Sequence, residues 1–294
     1  MNSETVMKIT STPSRPAVRY HGGKWKLAPW IISHFPPHRC YIEPFGGGAS
    51  VLLRKQRSYA EVYNDLDSEV VNLFNVLKNS GDELRRGCYL TPFSRAEFEE
   101  TFYKSDDPIE QARRTVVRSF FGFGSASVTQ YKHSSRIGKP TTGFRSNSTR
   151  SGTTPAHDWA HWPDCVPAII ERLRGVVIEN RNAVEVIEQH DSENTLIYCD
   201  PPYVPESRDK GKDYAHEMNV GDHEELAATL RAVNGMVVLS GYPSALYDHL
   251  YSDWQRIERL AFADGARPRT ECLWLNKACS NALAVRRQQI EMKI

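Results

Sequence analysis

The chain has 294 residues, 40% of them hydrophobic and 25% charged, which is the composition of a soluble globular protein with room for one large or two modest domains. It holds no apolar run near the roughly 18 residues of a membrane span, and its start lacks the apolar core of a signal peptide. A formal net charge of +1 announces no polyanionic partner by itself, so such a partner has to be sought in how the charge is distributed. The six cysteines, Cys40, Cys88, Cys165, Cys199, Cys272 and Cys279, form no CxxC pair. That pattern argues against a zinc site or a disulfide framework and for reduced thiols in a cytoplasmic protein.

Residues Met1 to Pro16 are polar, rich in Ser and Thr, and read as an unpacked tail. Tyr20-His21-Gly22-Gly23-Lys24 follows, ahead of a short helix expected within Leu27 to Phe35. Two glycines allow close backbone approach to a ligand, and Lys24 brings a cation there. The stretch is not a P-loop, because the upstream glycine and the Ser/Thr after the lysine are missing. Taken alone it reads sooner as a plain loop.

Cys40-Tyr41-Ile42-Glu43-Pro44-Phe45-Gly46-Gly47-Gly48-Ala49-Ser50 reads as a strand, a glycine-rich turn and a helix over Ala49 to Gln56. Three adjacent glycines remove every Cβ at the turn, so a ligand can lie against bare backbone. The spacing is not GxGxxG, which points away from a dinucleotide and toward a small adenosine-bearing ligand. Glu61 to Asp67 forms a second strand ending in acids. Asp65, with Asp67 as the fallback, is placed to accept both ribose hydroxyls. The alternative is a capping role for Asp67 or Ser68 at the helix Glu69 to Lys78.

From Gln111 to His157 the chain carries eight Lys/Arg (Arg113, Arg114, Arg118, Lys132, Arg136, Lys139, Arg145, Arg150) and no Asp or Glu. Phe120, Phe121, Phe123, Tyr131 and Phe144 are interleaved. A solvated face normally mixes both signs. An unbroken cationic stretch with aromatics and hydroxyls suits a nucleic-acid duplex instead. Arg118, Tyr131, Lys132, Arg136, Lys139, Arg145 and Arg150 are the candidate DNA contacts, on a segment that reads as an insertion.

The α/β pattern then resumes. A helix is expected over Asp164 to Arg174, a strand over Val176 to Asn180 and a helix over Ala183 to Gln189. Leu196-Ile197-Tyr198-Cys199 is a buried strand stopped by Asp200-Pro201-Pro202-Tyr203, since two prolines cannot donate to a ladder. Asp200 Oδ and the Pro201 carbonyl can accept hydrogen bonds from an amino group, and Tyr203 can lie flat on a planar ring. The tetrapeptide alone also fits a simple turn with Asp as a cap. A polar loop, Val204 to Asn219, precedes a helix over Asp222 to Val233 with Asp222 as its cap, and Met236 to Ser240 is another buried strand. Ala245 to Leu250 and Trp254 to Leu260 continue the fold, and Glu271 to Asn276 alternates like a final strand. Strands separated by helices indicate a mostly parallel sheet with helices on both faces.

The order of Tyr20-His21-Gly22-Gly23-Lys24, Glu43-Pro44-Phe45-Gly46-Gly47-Gly48-Ala49, Tyr63-Asn64-Asp65 and Asp200-Pro201-Pro202-Tyr203 resembles the Dam-like (D12 class, α-group) DNA adenine-N6 methyltransferases. Ser240-Gly241-Tyr242 and Arg269 to Asn276 look like the phage-type members. The resemblance implies a Rossmann-like methyltransferase fold with S-adenosylmethionine as donor, S-adenosylhomocysteine as product and no metal. It places Tyr20, Gly23 and Lys24 on the amino-terminal cofactor motif, and Glu43, Pro44, Phe45, Gly46, Gly47 and Gly48 on the glycine turn. Asp65 falls on the ribose acid, and Asp200, Pro201, Pro202 and Tyr203 on the catalytic motif, with Asp200 also at the cofactor. The implied layout is a tail (1–17), a cofactor-binding half (18–78), a target-recognition region (79–163) and a catalytic half (164–294).

The activity expected from the resemblance is methylation of N6 of an adenine flipped out of double-stranded DNA, as in restriction-modification, by a cytoplasmic monomer or weak dimer without membrane association. Tyr203 is expected to stack on the flipped ring while Asp200 and the Pro201 carbonyl accept its amine hydrogens. Cytosine N4 makes the same demands on this cradle, and a DNA-binding relative with decayed catalysis is the non-enzyme alternative.

Overall fold

The computed structural model describes residues 12–124, 143–146, 153–207, 216–262 and 268–292. Its centre is a seven-stranded sheet of β1 (Cys40–Glu43), β2 (Ala60–Asn64), β3 (Val176–Glu179), β4 (Thr195–Cys199), β5 (Met236–Gly241), β6 (Gln255–Phe262) and β7 (Pro268–Leu275). The strand order is β3-β2-β1-β4-β5-β7-β6. β1 to β5 are parallel, whereas β7 is antiparallel to both of its neighbours. β6 and β7 are too close in sequence for a parallel crossover and so form a hairpin.

The pleat sorts each strand's side chains between two cores. On one face Tyr41, Leu196, Tyr198, Val238 and Leu273 meet the helices α1 (Ala28–Ser33), α2 (Ser50–Arg54), α3 (Ser68–Asn79), α8 (Trp162–Leu173) and α12 (Lys277–Glu291). On the other, Ile42, Ile197, Cys199, Leu239 and Trp274 meet α9 (Ala183–His190), α10 (Val220–Ala232) and α11 (Ala245–Leu250). Burial on both faces explains why the strands read as continuous apolar runs. Among the described residues no helix is long and apolar enough to cross a membrane.

Several boundaries differ from the expected ones for local reasons. α2 begins at Ser50 because Ala49 takes a left-handed conformation, φ 51°. α10 begins at Val220 and its cap is Asn219, not Asp222. Asn219 Oδ1 accepts the Asp222 N–H at 3.1 Å, and the Asp222 carboxylate accepts the Asn219 N–H at 2.7 Å, a reciprocal box. Asp67 caps α3, the alternative role open to it from sequence, by accepting the Glu69 N–H. Of the expected tail, residues 1–11 lie outside the described residues; further on, Arg15 pairs with Asp158 at 2.8 Å and Ala17 is fully buried, its carbonyl accepting from Trp162.

The basic stretch is partly a core element. α4 (Gly81–Leu90), α5 (Arg95–Glu100), α6 (Pro108–Phe121) and α7 (Pro155–Ala160) add Leu84, Phe98, Val116, Phe120 and Trp159 to the same core as α3 and α8. Arg113 and Arg114 on α6 pair with Glu110, one residue before the acid-free stretch starts, and with Glu97 and Glu100 of α5. Arg118 is 0% exposed; it donates to the Thr101 carbonyl at 2.7 Å and lies 3.5 Å from Glu69. The expectation that Arg118 contacts DNA is therefore corrected: α6 is amphipathic, and Arg118 falls on its inner side.

Candidate active site

In an open parallel sheet, ligands bind beyond the carboxyl ends of the strands where the strand order reverses. Here β2 lies on one side of β1 and β4 on the other, so the reversal falls between β1 and β4. The glycine turn leaves β1 and Asp200 leaves β4. Sheet order alone thus brings together two motifs more than 150 residues apart in the sequence.

A cavity of about 320 Å³ opens at this point, within the roughly 300–1,000 Å³ range of small-molecule sites. Tyr20, Gly23, Lys24, Glu43, Pro44, Phe45, Gly46, Gly47, Gly48, Asp65, Asp200 and Pro202 line it. Pro201 and Tyr203 are not among its lining residues. Asn182, Val184, Met218, Asp222 and Glu225 also line it, and the sequence reading had assigned none of them to the site.

The turn is built by its own tyrosines. A Cβ on Gly46 would sit 2.1 Å from the Tyr63 ring, and one on Gly47, whose φ is +46°, 3.0 Å from Tyr20. The glycines are thus required by internal packing, not only by the approach of a ligand. Tyr63 donates its hydroxyl to the Gly47 carbonyl at 2.8 Å, and the Gly47 N–H donates to Asp65 Oδ2 at 2.7 Å. Asp65 Oδ1 accepts the Asp67 N–H at 2.8 Å, while Asp67 Oδ2 accepts the Tyr20 hydroxyl at 3.0 Å. Burial, reinforced by the Asp67 carboxylate, pushes the Asp65 carboxyl up to about 6 against these N–H donors.

Glu43 closes the floor. It is 2% exposed, and its Oε2 accepts the Tyr41 hydroxyl and the Leu52 N–H, both at 2.9 Å. Burial pushes this carboxyl from 4.5 up to about 8. Below about pH 4.5 the group is protonated whether the chain is folded or not, and it costs nothing. As pH rises to about 8 the unfolded form ionises first, so stability is lost at about 1.4 kcal/mol per pH unit. In the ligand-free protein, Glu43→Gln is expected to flatten the fall of melting temperature between pH 5 and 8. An unchanged slope would refute the assignment.

Asp200 is held on both sides. Lys24 Nζ lies 3.0 Å from Oδ2, and the Ser240 hydroxyl donates to Oδ1 at 2.6 Å. Lys24, 5% exposed, also donates to the Gly22 carbonyl at 2.8 Å and sits 4.7 Å from the Tyr203 ring centre. Tyr203 is 4% exposed and donates its hydroxyl to Glu271 Oε2 at 3.0 Å. Its ring meets the half-buried Tyr242 edge-on at 4.6 Å. The expectation that Tyr203 offers an open stacking face is therefore not met in this state, because Lys24 and Tyr242 cover it. Burial raises the Glu271 carboxyl, opposed by Lys24.

Sequence reasoning had not assigned Ser240 and Glu271 to the site. Ser240 had a readable signal: like Asp200, it is the polar residue ending an apolar run. Glu271 had none, because it reaches the site through the antiparallel pairing of β7 with β5. Of the expected DNA contacts, Tyr131, Lys132, Arg136, Lys139 and Arg150 lie outside the described residues. Arg145 is half-buried beside Phe120, and its N–H donates to the Phe121 carbonyl at 2.7 Å. Among the described residues no group of His, Cys, Asp and Glu is placed to hold a metal ion.

The sheet order thus brings the glycine turn after β1 and Asp200 after β4 to one cavity at its reversal point. A family model for D12 class N6 adenine-specific DNA methyltransferases matches residues 20–263. That is more than half of the 294 residues, and the chain belongs to this family. It is 25% identical over 199 residues to a DNA adenine methylase of Escherichia coli, covering 65% of this chain and 66% of that protein. It is 24% identical over 259 residues to one of Serratia marcescens, covering 82% and 87%. It is also 23% identical over 264 residues to the Type II methyltransferase M1.LlaDCHI of Lactococcus lactis subsp. cremoris, covering 82% and 85%. The match therefore spans slightly less than two thirds of the Escherichia coli protein.

Proposed function

We propose that this chain transfers a methyl group from S-adenosylmethionine to N6 of an adenine flipped out of double-stranded DNA. The observation that carries the reading is the convergence of the glycine turn and Asp200 on one cleft at the strand-order reversal. The residues present suit the donor. Among the described residues, Glu43, Asp65, Asp67, Asp200, Glu217, Asp222 and Glu225 line the cavity against the ammonium of Lys24. Such a lining favours a cationic ligand that carries hydroxyls.

Asp65 would take the ribose hydroxyls and Phe45 and the bare backbone of Gly46 to Gly48 the flat adenosine face, while Glu43, pushed up to about 8 in the ligand-free protein, would face the cationic end and be drawn toward its ionised form by that charge. When bound, S-adenosylmethionine supplies an electrophilic methyl group. The chain's own part is to hold the acceptor amine. Asp200 Oδ and the Pro201 carbonyl accept its two hydrogens, which favours a pyramidal nitrogen whose lone pair points into the cleft. Fixing that line of approach is worth roughly 7–11 kcal/mol in well-oriented reactions. A carboxylate beside the nitrogen also stabilises the positive charge that develops there. The residues around Arg145 and the stretch beyond it would hold the duplex.

The test is incubation of duplex DNA with isotopically labelled donor, then digestion and mass analysis of the nucleosides. Label on N6-methyladenine is expected. Label confined to N4-methylcytosine, or no label from a protein that binds the donor, overturns the reading.

A further inference from the structure

Asp200 and Ser240 are delivered side by side by neighbouring parallel strands. Cys199 of β4 pairs with Leu239 of β5, so the next residue on each strand, Asp200 and Ser240, meets its counterpart at the cleft. The Ser240 hydroxyl is 1% exposed and 2.6 Å from Asp200 Oδ1. That distance belongs to a hydroxyl donating to an ionised carboxylate. Behind it, the buried Tyr198 hydroxyl lies 3.2 Å from Ser240 Oγ. Ser240 has a single proton and directs it to Asp200 Oδ1, so Tyr198 is the donor in this pair.

A donating Tyr198 occupies a lone pair of Ser240 and leaves the serine's own proton for Asp200. The Cys199 carbonyl, 3.5 Å from Ser240 Oγ, is a poor competitor for it. Lys24 fixes the other carboxylate oxygen, Oδ2, from the amino-terminal loop. A serine that merely filled space at a strand end would need no partner this short.

We propose that Ser240 is a positioning residue for the transfer step. Steered by Tyr198, it works with Lys24 to lock the rotation of the Asp200 carboxylate, so that one oxygen lone pair faces the acceptor amine. The proposal rests on the reading of Asp200 as the amine acceptor. Without the Ser240 hydroxyl, Lys24 alone holds the carboxylate, which can then swing about its Cβ–Cγ bond away from the amine.

The test compares Ser240→Ala, Ser240→Thr and Tyr198→Phe with the unaltered full chain. Steady-state kinetics on duplex DNA, calorimetric titration with S-adenosylmethionine and thermal melting are measured for each. Ser240→Ala is expected to lower kcat by roughly 10- to 100-fold, the effect of removing a hydrogen bond to a charged group. KM for DNA and affinity for the donor should stay within about threefold, the mark of an interaction felt mainly in the transition state. Ser240→Thr, which keeps the hydroxyl, should recover most of the rate, and Tyr198→Phe should lose less than Ser240→Ala. An active unaltered chain with an undiminished Ser240→Ala variant overturns this proposal alone. Equal losses in Ser240→Ala and Ser240→Thr, or a loss that follows donor affinity, also overturn it. An unaltered chain that binds the donor but methylates no adenine overturns the functional reading and this proposal with it.

Discussion

Asp200→Asn is expected to lower methyl transfer by at least roughly 100- to 1,000-fold, the scale of losing one preorganised electrostatic partner in an active site. Asparagine is chosen because it conserves volume and still lets Ser240 donate to a side-chain oxygen. It removes the negative charge and sets an amide N–H against donors. Lys24, 5% exposed and 3.0 Å from the carboxylate, loses that ion pair, although the Gly22 carbonyl still accepts from it at 2.8 Å. Some stability, about 1–3 kcal/mol, is therefore expected to go with the activity. The rate should be read well below the melting temperature, alongside calorimetric binding of the donor. Near-normal turnover by the folded variant would show that Asp200 is not the acceptor.

Arg118→Ala is expected to destabilise the protein by about 3–5 kcal/mol, the cost of leaving a buried ionic network without one member. The guanidinium is 0% exposed. Its removal takes a donor from the Thr101 carbonyl, which it meets at 2.7 Å, and loosens Glu69, which also accepts from Gln111 at 2.6 Å and Thr115 at 3.1 Å. Denaturant titration measures the loss. At a temperature where the variant is folded, the slope of DNA affinity against salt should match that of the unaltered protein, because no phosphate contact is lost. A stable variant with a reduced salt slope would return Arg118 to the DNA-binding set.

These two residues mark where one-dimensional reading worked and where it did not. Asp200 was legible because a buried apolar run ending in Asp-Pro-Pro must stop there and present a carboxylate. The glycine turn was legible for the same reason, and Asp67 announced itself as a cap. Arg118 was misread because counting charge along the chain ignores which side of a helix each residue takes. The acid-free stretch from Gln111 to His157 merges the inner and outer residues of α6 with a loop, and it excludes Glu110, which neutralises Arg113 and Arg114. Tyr203 is covered in this state, because an aromatic after two prolines can turn either outward or inward. Here Glu271 accepts its hydroxyl and Lys24 covers its ring.

The sequence by itself determined most of the elements, the points where strands stop, the carboxylate at the end of β4 and the family to which the chain belongs. Those features depend on periodicity, proline and glycine chemistry, and motif order, all of which act within a few residues. Only the tertiary structure decided that Ser240 and Glu271 join Lys24 and Asp200 in one site. Their meeting depends on which strands lie side by side and in which direction they run. That choice is made by packing two apolar faces at once, and no local stretch of sequence records it.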